Sequence, residues 1–184
     1  MKEMNDEDIL ALLKNPETKE KDSGFRLLMD KYSERVYWII RRMVVKHEDA
    51  EDLLQETFIN VYRHIGSFAG GSKIYTWIYR IAINECLRFF RKKKLKTTET
   101  LNEALIREME DEVHDSAEEM TIKLQQAIIR LPEKQQLVFN LRYYDELSYD
   151  EISQILNSSV STLKTNYHYA KEKIKNELLE TNQA

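Results

Sequence analysis

Apolar residues recur three and four positions apart along most of this chain, the spacing of amphipathic helices. Residues 5–14 make a short first helix, with Asn5 as a capping residue and Ile9, Leu12 and Leu13 on one face. Asn15–Gly24, which holds Pro16 and Gly24, reads as a loop. From Phe25 to about Val45, Leu28, Tyr32, Val36, Ile39, Ile40 and Met43 fall on the inner face of a longer helix. Another begins near Glu48 and turns Leu53, Leu54, Phe58, Val61 and Ile65 inward, until the run Gly66–Ser72 breaks it. A further helix covers about Lys73 to Lys94. Three helices with inward faces suffice for a small bundle.

Residues 95–117 carry acids, threonines and few bulky apolar groups, so no packed element is expected there, although Leu101–Met109 could form a transient helix. Periodicity returns from Ala117, with Ile122, Leu124, Ile128 and Leu131 on one face. Pro132 sits at a helix start, followed by inward Leu137, Val138 and Leu141. Ser148-Tyr-Asp-Glu151 is a capping box that opens a short helix with Ile152, Ile155 and Leu156 inside. Asn157-Ser158-Ser159 turns the chain, and a longer helix then buries Val160, Leu163, Tyr167, Ala170, Ile174 and Leu178. A capped short helix, a tight turn and a longer helix make a helix-turn-helix.

Composition narrows this to an all-α protein. The 184 residues are 42% hydrophobic, enough for packed cores, and include only four Gly and two Pro. No apolar run approaches the length of a membrane span. The acidic N-terminus MKEMNDEDIL lacks the charged-then-apolar pattern of a signal peptide. A lone Cys86 excludes an internal disulfide framework and points to a reduced, cytoplasmic compartment. His47, His64, His114, His168 and Cys86 have no metal-ligand spacing, so neither metal nor cofactor is expected.

Charge changes the picture more. The chain has a net charge of −4, yet residues 67–96 pack eight bases against one acid, Glu85. The next block, 97–119, sums to −8. Phe68, Tyr75, Trp77, Tyr79, Phe89 and Phe90 thread the basic island. Aromatic faces beside cations are the chemistry of a single-strand binding surface. The outward face of the last helix shows Ser161, Thr162, Lys164, Thr165, Asn166, His168, Tyr169 and Lys171. Such groups suit phosphates and base edges in a major groove.

LLQETFINVYRHI, then TWIYRIAINE, a basic tail, and LPEKQQLVFNLRYYDELSYDEISQILNSSVSTLKTNYHYAKEKI follow one another in that order. Over roughly residues 25–180 this resembles bacterial group IV sigma factors, the extracytoplasmic-function (ECF) class of the sigma-70 family. Helix-turn-helix patterns are common, but both halves in this order around an acidic linker are specific. Ahead of it lie the short helix and loop of 1–24 read above, and the resemblance implies a sigma-2 domain over 25–94. It further implies a flexible acidic linker over 95–117 and a sigma-4 helix-turn-helix domain over 118–184. The implied function is non-enzymatic: binding core RNA polymerase, reading a −35 duplex and trapping melted −10 bases. Implied partners are the β′ clamp helices and β flap of the polymerase, promoter DNA, and an anti-sigma factor, often membrane-bound; the chain would not itself insert into a membrane.

Residue by residue, the resemblance places Asp49, Asp52, Gln55, Glu56 and Asn60 against the clamp helices. Acids at this helix start also suit the helix dipole, so Gln55, Glu56 and Asn60, further in, are the better contacts. The −10 element would meet Phe68, Gly70, Gly71, Ser72 and Lys73 of the loop, with Asn84 behind it bonding a flipped base. Tyr75, Tyr79, Arg80 and Arg88 are expected exposed on that helix, whereas Trp77 fits a core aromatic as well as a stacking platform. Arg91 and Lys92, with Lys93 and Lys94, would hold phosphates without reading sequence. Ser161, Thr162, Lys164, Thr165, Asn166, His168, Tyr169 and Lys171 would face the −35 duplex, with Tyr167 and Leu163 in the core. Many members carry Arg at the positions of Lys164, Asn166 and Tyr169, so the usual −35 consensus does not transfer.

An extended 97–119 segment of 23 residues reaches about 75–83 Å. That matches the roughly 70 Å between duplex elements two turns apart. The alternative reading is a stand-alone helix-turn-helix repressor or activator, which would bind a symmetric operator without polymerase. A helical interaction protein with no DNA role comes third, against the polar outward face of the last helix.

Overall fold

In a computed structural model, residues 4–15, 18–94, 103, 105, 106 and 119–181 are described, and the regular elements among them are helical. The front bundle comprises α1 (Asp6–Leu13), α2 (Thr18–Arg41), α3 (His47–His64), a single 3₁₀ turn (Ile65–Ser67) and α4 (Ile74–Lys94). The rear module comprises α5 (Glu119–Ile129), α6 (Glu133–Tyr143), α7 (Tyr149–Leu156) and α8 (Val160–Thr181).

Local chemistry explains the helix ends. The Asn5 side chain accepts the Asp8 N–H at 2.8 Å, and Asp6, Glu7 and Asp8 place negative charge where the dipole of α1 is positive. Asp6 then ties α1 to α2: its carboxylate accepts from the Tyr32 hydroxyl at 2.7 Å and from Lys31 at 2.9 Å. Burial, reinforced by the Asp6 bond, raises the Tyr32 phenol above its ordinary range. Ile9 and Leu13 close the contact from the apolar side.

The expected loop through Gly24 is instead the first part of α2, which starts at Thr18. A Cβ at position 24 would lie 2.7 Å from Leu12 Cβ and 3.1 Å from Leu13 N. The glycine therefore marks a close helix crossing, where the hydrogen lets α1 approach α2. At its other end α2 stops at Arg41, short of Val45, and Met43, Val44 and Val45 turn into the core.

The rear module follows its sequence signals closely. Pro132 caps α6, and both halves of the Ser148–Glu151 box are made. Ser148 N–H reaches Glu151 Oε2 at 2.9 Å, and Glu151 N–H reaches Ser148 Oγ at 3.3 Å. Asn157, at φ 49° and ψ 52°, ends α7 in the left-handed conformation that asparagine tolerates. Ser159 Oγ then accepts the Thr162 N–H at 3.2 Å and opens α8.

Two apolar clusters hold the fold. The smaller joins α5, α6 and α8 through Ala127, Ile128, Leu131, Phe139, Ala170 and Ile174. The larger fills the front bundle and runs on into the rear module through Leu137, Val138, Leu141, Ile152, Ile155 and Leu163. Helix α4 packs directly on α7. Leu105, within the segment expected to carry no packed element, is helical and 3% exposed in that same cluster. The acidity of the segment masked a local pair of apolar residues, Leu105 and Ile106, that finds the core. The rest of the predicted linker lies outside the described residues.

Candidate nucleic-acid interface

The loop before α4 is built around a buried aromatic pair. Phe68 and Trp77 are 5% and 8% exposed, with ring centroids 5.5 Å apart. The open alternative for Trp77 resolves toward the core, and Phe68 goes with it. Gly70 takes φ 76°, a backbone state that favours glycine. With Ser72 and Arg80, the two rings line a pocket of about 430 Å³, whose other wall is Gln154 and Asn157 of α7.

Along α4, Arg80, Asn84, Arg88 and then Arg91 and Lys92 fall three or four residues apart and are exposed. This stripe puts one amide among four cations. Arg88 is steered by Glu85 at 3.0 Å, and Arg91 Nε donates to the Leu87 carbonyl at 3.3 Å. Tyr79, expected exposed, is 2% exposed and belongs to the core. Burial pushes its phenol up to about 12, with Arg35 pulling the other way. Tyr75 is half-buried rather than exposed, and its hydroxyl donates to Glu151. Tyr75 thereby joins the α4–α7 packing, which the periodicity of α4 alone does not reveal.

On α3, Asp52, Gln55 and Glu56 are exposed and Asp49 is half-buried in the first turn. Asn60 departs from the expectation. It is half-buried, and its amide donates to Glu85 at 2.9 Å, so it joins α3 to α4. The sequence reading missed an apolar groove of about 510 Å³ beside this acid row, lined by Phe25, Met29, Gln55, Ile59, Tyr62 and Arg63. Ile59 is 41% exposed; its signal was an isoleucine off the Leu54–Phe58–Val61–Ile65 stripe.

On α8, Ser161, Thr162, Lys164, Thr165, His168, Tyr169 and Lys171 are exposed, as expected, and Asn166 is half-buried. Thr162 shares its hydroxyl with Ser159 at 2.8 Å, and Thr165 donates to the Ser161 carbonyl at 3.1 Å. Leu163 is buried and Tyr167 stacks on Phe139 at 6.0 Å, so both serve the core.

The two surfaces face one another. Arg80 and Asn84 share a cleft of about 340 Å³ with Asn157, Ser158 and Asn166. Lys73 pairs with Glu151 at 2.8 Å, and Arg42 pairs with Asp145 at 3.0 Å. Lys73 and Tyr75 hold the Glu151 carboxyl down at about 2. Asp145 is shifted upward, because burial outweighs Arg42. Neither contact was legible in the sequence.

Other chemistry is sparse. Cys86 is fully buried, and burial pushes its thiol up to about 12, where it is unreactive. Among the described residues no group of three His, Cys, Asp or Glu side chains could hold a metal, and no helix is long and apolar enough to cross a membrane.

Known proteins share this sequence pattern and this fold. Residues 28–96 match the family model for Sigma-70 region 2, and residues 121–174 that for Sigma-70, region 4. The ECF RNA polymerase sigma factor SigW of Bacillus subtilis is 36% identical over 168 residues, covering 84% of this chain and 89% of its own. The RNA polymerase sigma-H factor of Pseudomonas aeruginosa is 33% identical, over 82% and 84% of the two chains. In fold the chain is similar to CnrH in complex with the cytosolic domain of CnrY, at TM-score 0.68, 18% identity and coverage of 96% and 97%. It is also similar to RpoE of Bartonella quintana in complex with the anti-sigma factor NepR, at TM-score 0.67, 20% identity and coverage of 85% and 96%.

Proposed function

This chain belongs to the sigma-70 family of RNA polymerase sigma factors, in its ECF class, and on that premise we propose how its surfaces divide the work of promoter recognition. The chain is an RNA polymerase sigma factor that binds core polymerase and promoter DNA. The front bundle takes the unpaired −10 strand and the rear module takes intact −35 duplex. The observation that supports this split is the stripe Arg80–Asn84–Arg88 beside an aromatic-floored loop pocket, on a different module from the polar face of α8.

At the −10 site one flipped base enters the pocket over Phe68 and Trp77, and Asn84 bonds a base edge in the neighbouring cleft, with Arg80 bordering both. Arg88, Arg91 and Lys92 hold the flanking phosphates, adding affinity without reading sequence. On α8, Asn166 suits adenine at N6 and N7 and Lys164 suits guanine at O6 and N7, while Tyr169 and Lys171 are exposed beside them. The α3 surface docks on polymerase, with Asp52, Gln55 and Glu56 meeting bases of the partner and the Met29–Ile59 groove accepting an apolar side chain. A repressor acting alone would leave that groove and the loop pocket without a use.

Magnitudes require the polymerase. Each stacked or captured base contributes about 1–3 kcal/mol. Flipping one costs a few kcal/mol, and each further opened step loses roughly 1.4 kcal/mol of stacking. A chain of net charge −4 adds little general attraction to DNA. The catalytic chemistry is the polymerase's, and the cytoplasm is where the two meet.

The test is run-off transcription from a promoter library with purified core polymerase. Asn84→Ala should weaken −10 preference and leave core binding intact; equal loss of both would make Asn84 structural.

A further inference from the structure

Glu85 is the one acid among the eight bases of residues 67–96, and at 7% exposure it is turned into the bundle. Its Oε1 accepts the Asn60 amide of α3 at 2.9 Å, and its Oε2 accepts Arg88 NH1 of α4 at 3.0 Å. Both oxygens are engaged, so the carboxylate is fixed from two sides. The Arg88 side chain is 56% exposed. Its guanidinium carries five N–H donors in a rigid planar fork, and NH1 is the nitrogen drawn to Glu85. One corner of the fork is therefore tied to a buried group while the side chain as a whole stands at the surface.

Stability alone does not account for a carboxylate at this place. Taking charges out of water offsets much of what a buried ion pair contributes, and apolar residues of similar volume often replace such pairs without loss. What the carboxylate supplies and an apolar residue does not is direction. Arg88 sits one turn beyond Asn84 on the same face of α4, and both are exposed. An unheld arginine loses rotamer freedom when it closes on a phosphate, whereas one already tied at NH1 has lost part of it beforehand. We propose that Glu85 is a positioning residue for promoter capture: anchored by Asn60, it holds Arg88 so that the open side of the fork meets the backbone phosphate beside the base edge bonded by Asn84. The proposal rests on the reading of Arg88 as a phosphate contact.

Charge and direction predict opposite signs. Removing an acid from a surface that binds phosphate tightens binding if Coulomb attraction is all that matters, whereas removing the group that holds Arg88 weakens it. The experiment uses the full chain bound to core polymerase and a fluorescein-labelled fork: a promoter duplex selected in the run-off library, ending in a single-stranded −10 overhang. By anisotropy, Glu85→Leu should bind the fork roughly fivefold more weakly than wild type, as expected when one long side chain must be ordered on binding. The same duplex without its overhang should bind both proteins equally. In an Arg88→Ala background Glu85→Leu should have no further effect, because a residue that works through Arg88 then has nothing to hold. Equal or tighter fork binding by Glu85→Leu, a matching loss on the duplex without overhang, or the same loss in the Arg88→Ala background would overturn the proposal. Should Glu85→Leu not fold, Arg88→Lys decides: charge without the fork should lose a similar factor, and full affinity would mean that a point charge suffices. Arg88→Ala itself should reduce the slope of log affinity against log salt by about 0.7, the share of one strand phosphate. An unchanged slope would sink the phosphate reading and the proposal with it, and a wild type that fails to direct core polymerase in run-off transcription would sink the functional reading.

Discussion

Asn60 and Glu85 meet across the α3–α4 boundary, amide nitrogen to carboxylate oxygen at 2.9 Å, and Arg88 takes the other oxygen of Glu85 at 3.0 Å. Glu85 is only 7% exposed, so these two donors are what make its charge tolerable inside the bundle. Asn60→Ala leaves a nearly buried carboxylate short of a donor and should cost about 1–3 kcal/mol in urea unfolding. Gln55→Ala and Glu56→Ala, on the exposed face, should stay within about 0.5 kcal/mol of wild type yet lower affinity for core polymerase. The opposite pattern, with Asn60→Ala impairing only polymerase binding, would return Asn60 to the docking surface.

Gly24→Ala would ordinarily favour a helix interior by up to about 1 kcal/mol. At this crossing the new methyl meets Leu12 Cβ at 2.7 Å and the Leu13 backbone at 3.1 Å, and backbone cannot move aside like a flexible side-chain end. Overpacking of this kind costs about 1–3 kcal/mol, so the substitution should destabilise on balance. Proteolysis of the native protein should then begin near α1 and Asn15. A gain in stability would show that α1 is not held at this distance.

Signals carried by neighbouring residues were readable from the chain. Ser148 and Glu151 cap α7, Pro132 starts α6, and Asn157 turns the chain, because each acts within one helical turn. What escaped the sequence depends on partners far along it. Gly24 read as a breaker because its use is the approach of Leu12, a contact between helices. Tyr79 seemed exposed because the pattern of α4 alone offers no sign that other elements bury it, and Arg42 lies 103 positions before its partner Asp145. Of the candidate −10 contacts, Arg80, Asn84, Arg88, Arg91 and Lys92 came out on the surface, while Phe68, Trp77 and Tyr79 went inward. Aromatic surface is strongly driven into cores, so composition overstated how many rings would be left for bases.

Among the described residues, the Thr76 hydroxyl, the Gln135 Oε1 atom and both the nitrogen and oxygen of the Asn140 side chain are buried without protein hydrogen bonds. Thr76 is 2% exposed and Asn140 is 5% exposed. An unmet buried polar group costs about 1–3 kcal/mol, and a same-shaped apolar replacement removes that cost. Thr76→Val and Asn140→Leu should each raise the melting temperature. A fall at Asn140 would mean that its amide has a polar partner not supplied by the protein.

Glu151 should make the Lys73 contact depend on pH in a definite direction. Its carboxyl is held at about 2, below the ordinary 4.5, first by Lys73 and then by Tyr75. A lowered folded value means that ionised Glu151 stabilises the fold fully above about 4.5, and that this contribution is lost as the pH falls toward about 2. Asp145 acts in the other sense. Burial raises it despite Arg42, so folding favours its protonated form and stability falls as the pH rises from the ordinary carboxylate range through its raised value. Wild type therefore mixes two opposing titrations, and comparing it with Glu151→Gln isolates one. The stability gap between these two proteins should be constant above about 4.5 and shrink steadily below it. A gap that widens on acidification would mean that Lys73 is not what Glu151 holds in solution.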